Sequence, residues 1–445
     1  MSANPRRRYA VVGTGHRAEM FIQAGLSEHR EVAQFVAWCD PNPSRMAYYD
    51  RLLVEAGQEP VRHYGPADLE RMIAEEKVEA VIVAAPDHTH ADLVSRSLRA
   101  GARVIVEKPL TTTEEGCKEI SDAARETGLD VVMTFNYRYS PRNSTLKEVI
   151  ARGDIGDVTS IHFEWMLDTV HGADYFRRWH REKEKSGGLL VHKSSHHFDL
   201  VNWWLDDTPA TVVAAGARHF YGADAAGAAL AGERPARGSR SEPGDLWSLD
   251  LNADPRLAEL YLDAEQYDGY IRDQDVFAPG VTIEDTMSVL VTYSRGAALT
   301  YSLTAYAPWE GYRVSVNGTQ GRAELDVVER GAIHLDERGR VVLDPSMTEA
   351  ADADRERPTG ERLVVQKHWQ TAQEVEIPMG SGSHGGGDDI LLADIFRGPR
   401  EDPLGRPAGY LDGVKAVAVG IAANRSIAND SIVRISELSL GVDLS

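Results

Sequence analysis

A glycine-rich turn close to the N-terminus, between a short apolar strand and a helix, restricts the fold more than any other feature of the chain. Residues 8–12 read RYAVV, and GTGHRA at residues 13–18 leads into the helical pattern EMFIQAGLSEH. In a dinucleotide-binding unit, Gly13 permits the tight turn, Gly15 lets the backbone approach a pyrophosphate, and Ala18 lets the helix lie close to the strand. The helix N-terminus supplies amide donors for phosphate. By itself, the pattern is equally compatible with a plain turn.

A second signal, in register with the first, is Asp40 at the end of the strand pattern EVAQFVAWCD. An acid about 20 residues beyond the glycines binds the ribose 2′-hydroxyl in such units. We therefore predict NAD as the cofactor, because the carboxylate would repel the 2′-phosphate of NADP unless Arg17 or Arg45 offset its charge. Thr14, His16 and Arg17 complete the predicted cofactor contacts of the turn.

Strand and helix patterns alternate up to about residue 138. Buried strands such as VEAVIVAAP, ARVIVEKPL and LDVVMTFNY are separated by helices, which is typical of a parallel sheet covered on both faces. Ligands of such sheets bind beyond the carboxyl ends of the strands. Five residues at or beside predicted strand ends should therefore converge on one crevice: Gly13, Asp40, Pro86, Glu107 and Asn136.

Composition limits the partners and the compartment. The 445 residues include 48 Lys and Arg against 69 Asp and Glu, and the formal charge of -21 would repel a nucleic acid. No apolar run reaches the roughly 20 residues of a membrane span, and the N-terminus has no hydrophobic signal core. Cys39 and Cys117 are too few for a disulfide framework. We expect no nucleic-acid or membrane partner and a cytoplasmic location.

Four motifs, in their order and spacing, resemble one enzyme family. GTGHRA, AAPDHTH, VEKPL and GGLLVHKSSHHFD resemble the Gfo/Idh/MocA oxidoreductases, and IEDTMSVLVTYSRGAALTYSLTAY and VNGTQGRAELD are similar to strands of that family's second domain. The resemblance implies an α/β chain in which an N-terminal Rossmann domain, a doubly wound parallel sheet, precedes an α+β domain with a large open, mostly antiparallel sheet. It also implies that Lys108 of the Glu-Lys-Pro triplet hydrogen-bonds the reacting hydroxyl or carbonyl; a surface ion pair with Glu107 is the alternative.

The segment 187–204, GGLLVHKSSHHFDLVNWW, carries most of the remaining chemistry. Relatives commonly have aspartate, histidine and aspartate at the positions that are His192, His196 and Asp199 here, so only the first departs. On a helix these three side chains share one face, and Lys193 is rotated roughly 100° away. The segment therefore predicts a proton acceptor on one face and a cation beside it.

The predicted reaction divides the roles among these residues. His196 is the expected base for the hydroxyl proton, because an imidazole titrates near ~6.5. The charge of Lys108 would lower the cost of the developing alkoxide, and His192 is a third catalytic candidate. Asp199 would orient the imidazole or bind a substrate hydroxyl, and Tyr137 and Lys193 complete the expected substrate contacts. The alternative is that these polar groups are satisfied by backbone at a helix start.

A metal site is disfavoured, and further cofactor contacts are expected nearby. His192 and His196 have the spacing of paired zinc ligands, but Lys193 stands where the zinc-protease pattern has its Glu, and its charge opposes a cation. We therefore predict no metal. Seven residues of the neighbouring motifs are expected to contact the cofactor, although Asn136 is also compatible with a hinge: Pro86, His88, His90, Glu107, Lys108, Asn136 and Trp179.

Two domains are expected from these landmarks. Residues 1–138 would bind NAD, and residues 139–445 would bind substrate and form a homo-oligomer, a dimer or tetramer, through the open sheet. Residues 219–280, rich in Gly, Ala and Pro, predict a surface loop or lid. The helix at 408–430 resembles the family's terminal helix, which packs back on the Rossmann domain. In the glycine loop GSGSHGGGDD at 380–389, His384 either reaches the substrate or belongs to a linker.

These expectations describe an NAD-dependent oxidoreductase that transfers hydride between nicotinamide and a secondary hydroxyl of a sugar, inositol or glycoside. One alternative is a glycosidase that oxidises the sugar transiently, eliminates the aglycone and returns the hydride. Another is a sugar-responsive regulator without activity, which would be expected to lose Lys108 and His196. This chain retains both residues.

Overall fold

The computed structural model of the chain describes residues 6–241, 245–333, 356–379 and 386–444. His384 lies outside these residues. Two sheets organise the described part, and the candidate site residues lie where the two sheets and their helices meet. Among the described residues, no helix combines the length and the apolar character that a bilayer span requires.

The first sheet is the predicted Rossmann sheet. Its parallel strands are β1 (Arg7–Val12), β2 (Ala33–Cys39), β3 (Arg62–Tyr64), β4 (Ala80–Val83), β5 (Arg103–Val106) and β6 (Val131–Met133). They are adjacent in the order β6-β5-β4-β1-β2-β3. The intervening helices are α1 (Ala18–Leu26), α2 (Pro43–Glu55), α3 (Leu69–Glu75), α4 (His90–Arg99) and α5 (Glu114–Thr127).

The central strands explain why this sheet forms. Every residue of β4, Ala-Val-Ile-Val, is fully buried, as expected for a parallel strand with helices on both faces. The predicted strand patterns are longer than β4 and β5 because each pattern includes the loop that follows its strand. Those loops place Pro86 and the Glu107–Lys108 pair at the carboxyl edge of the sheet.

The second sheet is mostly antiparallel, also as predicted. It contains β7 (Val158–Asp168), β8 (Pro209–Ala217), β9 (Thr286–Tyr293), β10 (Ala298–Ala307), β11 (Glu310–Gly318), β12 (Gly321–Arg330), β13 (Gly360–Lys367) and β14 (Gln373–Val375). Only the β7–β10 pair is parallel among these neighbours. Buried and exposed residues alternate along β9, so one face packs on the core and the other is open.

Further helices follow the Rossmann part. They are α6 (Pro141–Ala151), α7 (His171–Arg177), α8 (Lys183–Ser186), α9 (Leu189–His192), α10 (Ser194–Leu205), α11 (Ala226–Ala231), α12 (Pro255–Leu257), α13 (Glu265–Asp268) and α14 (Gly387–Arg397). Two of them, α9 and α10, carry the candidate catalytic segment. Trp203 and Trp204 of α10 are buried, and their indole N–H groups donate to backbone carbonyls of Leu404 and Asn143.

The C-terminal segment joins the two sheets. Strand β15 (Ala408–Gly409) pairs with β6, and α15 (Tyr410–Asn429) then crosses to contact α9, α10 and β8 before β16 (Val433–Arg434) pairs with β8. Gly420 makes the close crossing possible, because a Cβ there would lie 2.3 Å from the carbonyl oxygen of Leu190. The predicted helix therefore exists and also contacts α5 of the Rossmann part.

The prediction of a loop or lid at 219–280 is wrong for its second half. Leu251, Leu257 and Leu260 are buried in a core that also contains Phe21 and Trp38 of the Rossmann part. The prediction was made from the composition of the whole stretch, in which the Gly- and Ala-rich first part hid the apolar residues of the second part. The insertion is thus a packed layer over α1 and α2.

This packing predicts a measurable contribution to stability. Leu260→Ala should lower the free energy of unfolding by about 2–4 kcal/mol, because the residue is fully buried and its removal leaves a cavity. Leu230→Ala is the matched control in the same insertion: its side chain is 75% exposed, and the change should stay within about 0.5 kcal/mol. Urea unfolding followed by circular dichroism measures both. Equal effects would contradict the packed arrangement.

Candidate active site

A chain of three polar side chains crosses from the first sheet to the helices of the second. The ammonium Nζ of Lys108 lies 3.2 Å from Nε2 of His192, and Nδ1 of the same ring lies 2.5 Å from Oδ2 of Asp87. Lys108 Nζ also donates to the carbonyl oxygen of His192 at 3.3 Å. Since a lysine can only donate from its ammonium, Nε2 accepts and Nδ1–H donates to Asp87. Two of the three ammonium protons are therefore engaged by His192.

Burial sets the electrostatics of this chain. It lowers the pKa of Lys108 to about 8, while the nearby Asp87 carboxylate opposes that shift. Burial also lowers the pKa of His192 well below its ordinary value, and the Lys108 cation adds to the effect. The pKa of Asp87 is raised by burial against the opposing charge of Lys108. His192 is accordingly a neutral link between a carboxylate and an ammonium.

Aromatic rings enclose His192 on its other sides. The ring of His180 lies 4.1 Å from that of His192, and the rings of Tyr175 and Trp179 lie at 5.4 Å and 5.9 Å. Burial lowers the pKa of His180 well below its ordinary value. Trp179 stacks on His180 at 3.7 Å. These rings keep water away from the chain of polar groups.

The candidate helix is interrupted at Lys193, and the three residues of the predicted face contact different partners. Helix α9 ends at His192 and α10 begins at Ser194. His196 stacks on the ring of Tyr137 at 4.5 Å, and the ammonium of Lys193 donates to the hydroxyl of that same tyrosine at 3.2 Å. The break therefore brings Lys193 and His196 to one aromatic side chain, whereas His192 contacts Lys108.

Asp199 has a different partner from the one predicted. Its two oxygens accept from Nε and Nη2 of Arg138 at 2.8 Å and 2.6 Å, and Arg138 also donates to Asp412 of α15. All of this lies in the interior, where Asp199 is 1% exposed. The carboxylate thus holds α10 to the segment after β6, and the prediction that it orients His196 or binds substrate is wrong.

Two other predicted contacts also have structural partners. Asn136 donates to Asp388 of α14 at 2.7 Å, which supports the hinge alternative for this residue. His90 is fully buried, with its ring nitrogens 2.8 Å and 2.9 Å from the carbonyl oxygens of Pro109 and Ala85. The predicted contact between His90 and cofactor is therefore wrong, because the ring fixes the two loops that carry Asp87 and Lys108.

The glycine turn has the shape of a phosphate cradle. Gly13 has φ +86°, and a Cβ there would lie 2.6 Å from the backbone nitrogen of Ala85, so only glycine fits. The hydroxyl of Thr14 is buried without a hydrogen-bond partner among the described residues. Asp40 accepts from the backbone N–H of Thr14 at 2.7 Å and of Asn42 at 2.8 Å.

The insertion reaches this turn. The hydroxyl of Tyr261 accepts from the backbone N–H of His16 at 2.9 Å, and thus lies at the N-terminal end of α1. Arg17 donates to Glu107 at 2.6 Å, and Arg45 pairs with Asp268 at 2.7 Å. The structure therefore brings the turn, Glu107 and Lys108 to one edge of the sheet, while Pro86 and His88 lie on the adjoining loop beside Trp179.

Comparison with known proteins identifies the family. Residues 7–135 match the NAD-binding Rossmann fold of the Gfo/Idh/MocA oxidoreductase family, and residues 147–435 match its C-terminal alpha/beta domain. The chain belongs to the Gfo/Idh/MocA oxidoreductases. The recognition of the family from its motifs is confirmed, and so is the assignment of the chain as an enzyme, an oxidoreductase.

Individual members of the Gfo/Idh/MocA family show how far the likeness extends. The oxidoreductase YteT of Bacillus subtilis is 34% identical over 96% of this chain and 97% of its own length. An inositol 2-dehydrogenase of Rhizobium meliloti is 29% identical over 32% of this chain and 40% of its own length. A levoglucosan dehydrogenase, solved with NADH and levoglucosan, shares the fold with a TM-score of 0.62 and 18% identity, over 97% of this chain and all of that chain.

The residues of this Gfo/Idh/MocA member fit a dinucleotide at the turn. The tight backbone at Gly13 and the buried hydroxyl of Thr14 form the expected cradle. The amide of His16 fits as well, although it serves Tyr261 here. No cluster of three or more potential metal ligands occurs among the described residues.

Sequence reasoning missed three residues that this Gfo/Idh/MocA site contains. Asp87 follows Pro86 directly after β4, so its position at a strand end was the available signal. Tyr175 and His180 lie in the run YFRRWHREKEK, and no local pattern marked their approach to His192. Their contacts with His192 depend on how α7 and α9 pack, which sequence spacing does not reveal.

The charge of Asp87 predicts a change at Lys108. Asp87→Asn removes the carboxylate that favours the ammonium, so the pKa of Lys108 should fall below its value of about 8. The measurement is the carbon-13 NMR chemical shift of the Lys108 ε-carbon across a pH titration. The signal is assigned to Lys108 because it is absent from the spectrum of Lys108→Arg. Asp92→Asn is the control, because that side chain is 62% exposed and pairs with Arg96. An unchanged midpoint in Asp87→Asn would show that the carboxylate does not act on Lys108.

Proposed function

We propose that the protein is an NAD-dependent dehydrogenase that oxidises a secondary hydroxyl of a sugar, inositol or glycoside. The observation that carries the proposal is the partly buried Lys108 ammonium, held by His192 at the same sheet edge as the glycine turn. Two of its protons are engaged by His192, so the third is left for an oxygen of the substrate. Sugar and inositol dehydrogenases among the relatives support this substrate class.

The chain's own residues handle the proton while bound NAD would accept the hydride. His196 is the proposed base, stacked on Tyr137 and buried beside Lys193. Lys108 stabilises the negative charge that develops on the substrate oxygen, and a low-dielectric, water-poor site strengthens that effect. His192 and Asp87 position Lys108. Tyr137 and Lys193 are the proposed substrate contacts.

Lys108 therefore has a testable role. Lys108→Met should lower kcat by about 10² or more and leave the affinity for NADH within a few-fold. As the required form is the ammonium, kcat/KM for oxidation should fall as pH rises through about 8, the pKa of this lysine. A panel of sugars, inositols and glycosides with NAD, followed by NADH absorbance and by released aglycone, supplies the substrate. A rate that rises through that pH would instead assign the base to Lys108.

The same panel distinguishes the dehydrogenase reaction from the alternative, glycoside cleavage by transient oxidation. A dehydrogenase accumulates NADH in proportion to oxidised substrate, whereas a glycosidase working by transient oxidation releases aglycone without net NADH. We propose the dehydrogenase. Release of aglycone without accumulation of NADH would instead show that the protein is a glycosidase.

We further propose NAD rather than NADP as the cofactor. Asp40 stands at the end of β2, where its charge opposes a 2′-phosphate. The two arginines that would offset it have other acidic partners: Arg17 pairs with Glu107, and Arg45 pairs with Asp268 at 2.7 Å but lies 3.9 Å from Asp40. The charge of Asp40 is thus offset only in part, by Arg45, which has Asp268 as its closer partner.

Cofactor choice can be measured without turnover. The wild type should bind NADH at least about tenfold more tightly than NADPH, and Asp40→Asn should narrow that ratio. Titration of the reduced cofactors by fluorescence gives both dissociation constants. Comparable constants in the wild type would contradict the proposal.

We also propose a homo-oligomer, a dimer or tetramer, in the cytoplasm. Support comes from the open face of the second sheet, where Leu290 of β9 is 44% exposed and Val213 of β8 is 39% exposed. Exposed apolar side chains on the open face of a sheet suit a second copy of the same surface.

A further inference from the structure

Lys193 is a buried cation with no acidic partner in the described part of the chain. Its side chain is 4% exposed, and its one hydrogen bond there is to the hydroxyl of Tyr137, at 3.2 Å. No carboxylate among the described residues lies within 4.0 Å of its ammonium. The ammonium also lies 5.0 Å from the ring centre of Trp165 and 5.5 Å from that of Tyr137.

This arrangement is unfavourable in the free protein. Moving an ammonium out of water is costly unless an opposite charge and hydrogen bonds replace the water. The hydroxyl of one tyrosine and the faces of two aromatic rings replace only part of the lost hydration of the ammonium. Two other buried cations have carboxylate partners: Arg138 pairs with Asp199, and Arg330 pairs with Asp168. Buried Arg181 has no carboxylate within 4.0 Å among the described residues, but four neutral oxygens accept from it. Lys193 differs from these cations because, in the described residues, it has neither a carboxylate nor more than one hydrogen-bond acceptor.

The surroundings of Lys193 do not supply the missing charge. Lys108 is a second, partly buried lysine whose ammonium has no carboxylate within 4.0 Å among the described residues and bonds there only to His192. Asp87 lies on the far side of His192, with Oδ2 on Nδ1 of that ring. His197 contacts the hydroxyl of Tyr301 at 2.7 Å and stacks on Trp165 at 4.0 Å. The site thus presents two ammonium groups and no acid between them in the described residues.

We propose that the substrate is a carbohydrate that carries a carboxylate, such as a uronate, and that Lys193 binds this group. The inference rests on the proposed function, since it names the substrate class of the same site. A carboxylate is compact enough to accept from both the ammonium of Lys193 and a neighbouring donor, and it supplies the single negative charge that the site lacks. A sugar phosphate offers the same sign of charge, so it forms a separate arm of the test.

The first arm measures stability and binding without turnover. Lys193→Met removes the charge and keeps the length of the side chain, so the free protein should melt at a higher temperature than the wild type. Galacturonate or glucuronate should raise the Tm of the wild type more than galactose or glucose does, and this difference should disappear in Lys193→Met. Lys118→Met, at an exposed lysine of α5, should change neither result.

The second arm measures preference during turnover. The ratio of kcat/KM for a uronate to that for its neutral parent sugar should fall by about 10² in Lys193→Met, mainly through KM, and Lys193→Arg should recover part of it. A lower Tm of free Lys193→Met together with an unchanged ratio would make Lys193 structural and overturn the inference. A larger Tm shift with glucose 6-phosphate than with the uronates would also overturn it. If no panel member yields NADH, the proposed function fails, while the Tm arm still decides the inference.

Discussion

The close crossing of α9 and α15 is the contact on which the site depends. Gly420 lets the backbone of α15 lie against Leu190, and His192 follows two residues later at the end of α9. A larger residue at 420 would push α9 away and separate His192 from Lys108, whose loop belongs to the other sheet. Because β15 pairs with β6 just before α15 begins, the same helix is tied to both sheets. The geometry of the polar chain is therefore set by backbone packing.

The sequence predicted the site features that lie within one strand and its loop. It did not predict the contacts between residues that are far apart in the chain. The turn at Gly13, the strand that ends in Asp40 and the lysine after β5 were all predicted, because each signal lies within one strand and its loop. The Asp87–His192 pair joins residues 105 positions apart, and Arg138 reaches Asp199 over 61 positions. Both pairings appear only when the helices are in place. The break at Lys193 was missed because i, i+4 spacing assumes one continuous helix.

His192 stands where relatives commonly have an aspartate, and Asp87 supplies a carboxylate to the same site from another part of the chain. The carboxylate of Asp87 lies against the ring of His192. The acid thus acts on Lys108 through an imidazole. A neutral ring in that place leaves more positive charge around Lys193 than an aspartate would, which agrees with a site built for a negatively charged ligand.

The hydrogen bond between the hydroxyl of Tyr261 and the backbone N–H of His16 joins the insertion to the glycine turn. A backbone N–H at a helix terminus serves one strong acceptor at a time, so a pyrophosphate oxygen bound by this amide would replace the tyrosine hydroxyl. A segment far along the chain from the glycine turn therefore contacts the amide that would serve a bound dinucleotide.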